Sequence, residues 1–235
     1  MIRIFQRHCQ FSSNSANKQR PEWFNREKIF DSFKDTFTDE INYTAFYDTL
    51  NGSEHFIFNK GVNIVETEGG SEAKSFNNLL KYVYKQDFKE DDIIYFVEDD
   101  YLHKNEAITE MLFTYEKISS QVGKEIFLCP VDYPYLYKDS EKTNILIGHQ
   151  YHWRTIKESL LTFMTSKQML NKHWLSLVKM GSEEHSPFET PLHKIYEDEI
   201  CLSPIPSLAM HCTNVNSVFG LSPNINWEKL WDENK

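Results

Sequence analysis

Residues 91–103 read DDIIYFVEDDYLH, and no other stretch restricts the fold as much. Ile93 to Val97 is a run of β-branched, aromatic and aliphatic residues, apolar on both sides of the alternation. A strand with one wet face alternates polar and apolar residues. A strand buried on both faces does not, and such strands belong to parallel sheets covered by helices. The run stops at three consecutive carboxylates, Glu98, Asp99 and Asp100. Open α/β sheets bind their ligands just beyond the C-terminal ends of such strands. Three adjacent carboxylates repel one another unless positive charge is near. A divalent cation answers that need, because Mg²⁺ and Mn²⁺ take a few carboxylates together with phosphate and water. The competing reading is a solvated turn, or acids that cap a helix over Asn105 to Phe113.

The flanks repeat one theme. Ile2 to His8 reads as a first strand, and Ile41 to Tyr47 as a second that ends at Asp48 before an Asn51-Gly52 turn. Asn63 to Glu66 reads as a third. Glu22 to Phe37 sets Trp23, Phe24, Ile29, Phe30, Phe33 and Phe37 at helical spacing. Gly69-Gly70-Ser71 opens a helix over Glu72 to Tyr84, with Phe76, Leu79, Leu80 and Val83 inward. Strand–helix–strand alternation predicts a mostly parallel sheet with helices on its faces. After the acids the pattern changes. Ile126 to Val131 reads as a strand, and Asn144 to Arg154 and Ser159 to Thr165 as two joined strands. Lys167 to Lys179 and Thr190 to Tyr196 read as helices, and Glu199 to Pro204 as a short strand. Leu202 to His211 bends at two prolines and delivers His211 past its end. The tail after Thr213 is irregular, with Trp227 and Trp231 tucked back onto the body.

Composition narrows the function. A chain of 235 residues with 40% hydrophobic and 14% aromatic content is globular, not disordered. No apolar run approaches the length of a membrane-spanning helix. The N-terminus, MIRIFQRHCQFSS, lacks the apolar core of a signal peptide, so a cytoplasmic protein is expected. Cys9, Cys129, Cys201 and Cys212 are scattered without a C-x-x-C, which predicts reduced thiols and no zinc site. A formal charge of −10 argues against a broad nucleic-acid-binding surface.

VEDDYL at the end of a buried strand resembles the D-x-D motif of GT-A-fold glycosyltransferases in its Glu-Asp-Asp form. The order of elements, a parallel half and then an antiparallel half, is similar to that fold over nearly the whole chain. The resemblance implies a single Rossmann-like α/β domain over 1–235, a mostly parallel central sheet flanked by helices, with a small antiparallel acceptor-side part. Within it, 1–103 would be the nucleotide-sugar half, 104–212 the acceptor half and 213–235 a tail. It implies a nucleotide-sugar donor, a UDP-sugar first, and a glycan or other hydroxyl acceptor, a nucleic-acid acceptor not being excluded. Asp100 would bind Mn²⁺ or Mg²⁺, completed by His211, since imidazole suits Mn²⁺ better than Mg²⁺. Glu98 and Asp99 would lie near the ribose and diphosphate. Asp48 would meet the base or ribose, and Ser71 and Asn77 would border the nucleotide. Lys18 and Arg20 would offset diphosphate charge. Inverting transfer needs a carboxylate to take the acceptor's proton. The family supplies it ahead of the strand that leads to the C-terminal His, where this chain has Glu183, Glu184 and Glu189. Glu184 is the first candidate and Glu183 the second, although the family reads Glu-Asp where this chain reads Glu-Glu. His149 and His152, beside Tyr151 and Trp153, are candidates for an acceptor pocket.

Each site residue has a structural reading beside the functional one. Asp48 can start a turn, Ser71 can cap a helix, Lys18 and Arg20 can be solvated, and a lone histidine is more often structural than a ligand. Two other function classes fit as well. A nucleotidyltransferase making a nucleotide sugar shares the parallel sheet and the metal, but the loop QFSSNSANKQR lacks the glycines expected after the first strand. A non-catalytic carbohydrate-binding module accounts for the aromatics but gives the carboxylate triplet no purpose.

Overall fold

The computed structural model describes residues 1–10, 18–49, 54–137, 142–182, 187–213 and 225–233. Its strands in chain order are β1 (Ile2–Cys9), β2 (Ile41–Asp48), β3 (Asn63–Thr67), β4 (Ile93–Glu98), β5 (Tyr101–His103) and β6 (Phe127–Leu128). They continue as β7 (Ile145–Ile147), β8 (His152–Thr155), β9 (Phe163–Ser166), β10 (Cys201–Ile205) and β11 (Ala209–His211). The α-helices are α1 (Arg26–Lys34), α2 (Glu72–Lys85), α3 (Ala107–Val122), α4 (Lys167–Lys172), α5 (Trp174–Leu177), α6 (Thr190–Asp198) and α7 (Trp227–Glu233). The architecture is mixed α/β. The chain divides into two compact units, and each is assembled from three separate stretches.

The first unit holds residues 1–17, 39–98 and 157–199. Its strands run β3-β2-β1-β4-β9. The first four are mutually parallel, as the alternation predicts, and β9 closes the row antiparallel to β4. Ile94, Tyr95, Phe96 and Val97 of β4 are all buried, as expected of a strand covered on both faces. Helix α2 lies over this sheet: the Phe76 ring meets Phe96 edge-on at 5.7 Å, and Tyr82 meets Phe5 at 6.2 Å. Ser71 caps the helix by accepting from Lys74 N–H. Lys167 ends it: its ammonium donates to the carbonyls of Val83 at 2.9 Å and Tyr84 at 2.7 Å, carbonyls a helix C-terminus leaves unpaired. The helix expected over 167–179 is broken at His173, whose backbone leaves the helical range while its ring bonds Glu199 at 2.9 Å.

The second unit holds residues 18–38, 99–156 and 200–235. Its strands run β6-β10-β8-β7, parallel only between β6 and β10, and a two-stranded ribbon pairs β11 with β5 antiparallel. The long strand expected over 144–154 is a hairpin. The Glu110 carboxylate on α3 collects the backbone N–H groups of His149, Gln150 and Tyr151 and bends the chain there. Helix α1 is shorter than the apolar spacing suggests, because Phe24 N–H closes a turn on the Pro21 carbonyl and Asn25 caps from Lys28 N–H. The tail is not irregular throughout: α7 buries Trp227 and Trp231, and the Trp231 ring stacks on Trp23 at 5.0 Å. These rings, with Ile29, Leu102, Met210 and Cys212, form one apolar cluster. Leu102 pairs with Met210 in the ribbon. Side chains alternate across a strand, so Tyr101 and His211, the next pair along, face the other way.

Candidate functional site

In the first unit the ends of the parallel strands carry the chemistry. Arg7 on β1 stands beside Glu98 on β4, and Cys9 beside Asp48 on β2. Arg7 grips Glu98 with two nitrogens: Nε lies 3.1 and 3.0 Å from the two carboxylate oxygens, and Nη2 lies 2.5 Å from Oε2. Its Nη1 donates to the Glu72 carbonyl at 2.7 Å. Burial disfavours the Arg7 cation, but Glu98 and then Glu72 outweigh it and keep the guanidinium charged. Asp48 accepts from Gly69 N–H at 3.2 Å. A Cβ on Gly69 would fall 2.4 Å from Asp48 Oδ2 and 2.6 Å from Ser75 Cα, so this approach needs glycine. Asn77 is buried and donates to the Val178 carbonyl at 2.6 Å. Glu189 precedes α6 and is buried. Desolvation raises its carboxyl above the usual range, and Glu72 adds to that, against weaker pulls from His193 and Arg7.

In the second unit the site is built by the ribbon. Cys212 N–H donates to the Asp100 carbonyl at 2.8 Å, which ties the two strand ends together. Asp100 Oδ2 lies 3.3 Å from His211 Nε2, and the His211 ring stacks on Tyr101 at 4.6 Å and 11°. Tyr101 in turn shares a 2.7 Å hydrogen bond with the Tyr133 hydroxyl. Arg20 also reaches this point. Its Nη1 donates to Asp100 Oδ2 at 2.7 Å and to the Cys212 carbonyl at 2.6 Å, and its guanidinium carbon sits 4.5 Å over the Phe24 ring. Burial opposes ionisation of Asp100, but the neighbouring His211 and Arg20 overcome it and hold the carboxyl well below the usual range. Arg26 Nε lies 3.2 Å from Asp99 Oδ2.

The repulsion among the three acids is thus answered by arginines. Glu98 has Arg7, Asp99 has Arg26 and Asp100 has Arg20. This bears on the expected metal. Two ligands at right angles on a Mg²⁺- or Mn²⁺-like ion, with bonds of roughly 2.0–2.2 Å, stand about 3 Å apart. The 3.3 Å between Asp100 Oδ2 and His211 Nε2 suits that spacing. The charge does not, because a guanidinium already holds the same oxygen. In this arrangement Asp100 and His211 do not fit a divalent ion.

Of the site residues expected from sequence, Asp100, His211 and Arg20 come together. Asp48, Ser71, Asn77 and Glu98 belong to the first unit, where Ser71 caps α2, Asn77 anchors Val178 and Glu98 is paired with Arg7. Asp99 is paired with Arg26, and Lys18 is half-buried at the start of the second unit. Glu183 and Glu184 lie outside the described residues. Sequence reading missed Arg7 and Arg26. Arg7 gave a signal, since an arginine inside a buried strand requires a carboxylate partner. Among the described residues no helix is long and apolar enough to cross a membrane.

No family model matches the sequence, and no curated protein matches it. Among solved structures the chain is similar to 2-C-methyl-D-erythritol 4-phosphate cytidylyltransferase of Francisella tularensis, at 12% identity and a TM-score of 0.48, over 99% of this chain and 98% of that one. It is similar to a 4-diphosphocytidyl-2C-methyl-D-erythritol synthase at 10% identity and a TM-score of 0.47, over 98% and 99% of the two chains. It is similar to mannose-6-phosphate isomerase from Helicobacter pylori at 11% identity and a TM-score of 0.42, over 86% and 85%. At this level neither identity nor superposition carries a function from those proteins to this chain.

Proposed function

We propose that the chain transfers a group from a nucleotide donor, and that the group is a sugar. The observation that carries this reading is the meeting of Asp100, His211 and Arg20 from three distant stretches of sequence at the ends of a two-stranded ribbon. An acid end to a buried strand, a histidine after the last strand and a cation beside them are what the glycosyltransferase resemblance calls for. In the reaction an acceptor hydroxyl attacks the anomeric carbon while the bond from that carbon to the diphosphate breaks. Fixed positive charge near the diphosphate stabilises the leaving group as it forms. Glu184, or else Glu183, takes the acceptor's proton. Asp48, Ser71 and Asn77 are the candidates for base and ribose contacts. The donor is a UDP-sugar in the first instance, and the acceptor a glycan or another hydroxyl compound.

The second reading is nucleotidyl transfer, the activity for which the cytidylyltransferase is named. The carboxylate motif leans toward the first. Both hold the phosphates of a nucleotide and differ in which bond breaks. A thermal-shift screen separates them, because a ligand that binds the folded chain raises its melting temperature. Stabilisation by a nucleoside diphosphate supports sugar transfer, and stabilisation by a triphosphate alone supports nucleotidyl transfer. Stabilisation by neither sinks both and leaves the carbohydrate-binding module.

A further inference from the structure

Among the described residues Arg20 is held through one nitrogen. Nη1 makes both of its bonds, to Asp100 Oδ2 and to the Cys212 carbonyl. Among the described residues Nε and Nη2 make no hydrogen bond. The side chain is nonetheless fixed: only 15% of its surface is exposed, and it lies over Phe24, which packs against the cluster of Ile29, Trp227 and Trp231. A guanidinium fixed on one side, with two donors that no described residue takes, matches two oxygens of a phosphate, which Arg binds as a planar fork. Beside it, His211 is buried, and its Nδ1 has no hydrogen-bond partner among the described residues. The site therefore has polar capacity that the described residues do not satisfy.

We propose that Arg20 takes the place on Asp100 that a divalent ion would otherwise take, and that it binds the diphosphate of the nucleotide directly. This rests on the reading of the chain as a nucleotide-dependent transferase and specifies how that site handles charge. Asp100 is then a positioning residue. It orients the guanidinium and, through its own charge, keeps a cation at the strand end. A metal ion and Arg20 exclude each other, because each requires the same carboxylate oxygen and carries positive charge.

Two measurements test this separately. In the first, Mn²⁺ alone is titrated into the whole chain and followed by electron paramagnetic resonance. The wild type is expected to leave Mn²⁺ free. Arg20→Met keeps an unbranched apolar side chain and removes the charge, so Asp100 and His211 become available and bound Mn²⁺ appears. The double variant Arg20→Met/Asp100→Asn loses it again. Should Arg20→Met not fold, Arg20→Gln with Arg20→Gln/Asp100→Asn as its control decides the matter, since it removes the charge and keeps an amide donor for the Cys212 carbonyl. Stoichiometric Mn²⁺ binding by the wild type that Asp100→Asn abolishes overturns the proposal. In the second, UDP, CDP, GDP and ADP are titrated calorimetrically in EDTA and in Mn²⁺. The nucleotide that binds is expected to keep its affinity in EDTA within about threefold and to lose at least about tenfold in Arg20→Met. Binding that appears only with Mn²⁺ overturns the proposal. If no nucleotide binds under either condition, the transferase reading fails, while the Mn²⁺ titration still decides whether Arg20 excludes the metal.

Discussion

Glu110 is the buried charge whose removal is most simply worked out. Its carboxylate is 2% exposed and accepts five hydrogen bonds. Oε1 takes the Thr114 hydroxyl at 2.9 Å, His149 N–H at 3.1 Å, Tyr151 N–H at 3.3 Å and the Trp153 indole N–H at 3.1 Å. Oε2 takes Gln150 N–H at 2.8 Å. Glu110→Ala removes all five. The loop N–H groups can regain water, but Trp153 and Thr114 are fully buried and cannot. Each buried donor left unsatisfied costs about 1–3 kcal/mol, so the loss is roughly 4 kcal/mol. For a chain of this size that lowers the melting temperature by about 10 °C. Glu110→Gln behaves differently. Its carbonyl can keep the four bonds to Oε1, and only the amide opposite Gln150 N–H is wrong. That costs about 1 kcal/mol, or roughly 3 °C. Calorimetric melting of the two variants checks both values. A Glu110→Ala melt within about 1 °C of wild type, or a Gln variant as unstable as the Ala variant, would refute the assignment. The same carboxylate shapes the loop of His149 and Tyr151, candidates for an acceptor pocket, so the variant also tests what holds them.

Other predictions follow from the first unit. Glu189 has its folded carboxyl raised, so its contribution to stability is full below the unfolded value of about 4.3 and is lost as pH rises. Glu189→Gln should therefore raise the urea midpoint at neutral pH, with the gain closing toward pH ~4; a lower midpoint at neutral pH contradicts this. Gly69→Ala should cost about 2 kcal/mol in urea unfolding, because its Cβ meets backbone at Ser75 that cannot swing aside, and an unchanged midpoint would show that the turn yields.

Much of the first unit was legible. The doubly apolar run of Ile93 to Val97 and the strands around it are periodic patterns set by burial, so their parallel order could be read from sequence. The second unit was less legible because its shape depends on long-range polar contacts. Nothing near residues 144–154 says that a glutamate at 110 will bend them into a hairpin. The first unit has one such case of its own, since nothing near 167–179 says that Glu199 will hold His173. At the site, the need for positive charge beside Glu98, Asp99 and Asp100 was correctly derived from repulsion. Repulsion does not name the source of that charge, because a metal and three arginines satisfy the same electrostatic requirement. Only the positions of Arg7, Arg20 and Arg26 in space distinguish the two. The meeting of Asp100 with His211 followed from each lying at a strand end.

The most direct test of the transfer reaction is to follow what leaves the nucleotide. The chain is incubated in EDTA with UDP-sugars and a panel of glycan acceptors and, separately, in Mg²⁺ with nucleoside triphosphates and sugar phosphates, and the released phosphates are resolved chromatographically. Sugar transfer predicts a nucleoside diphosphate from the nucleotide sugar, abolished in Arg20→Met. Pyrophosphate released from a triphosphate, with the nucleotide sugar left intact, would contradict it.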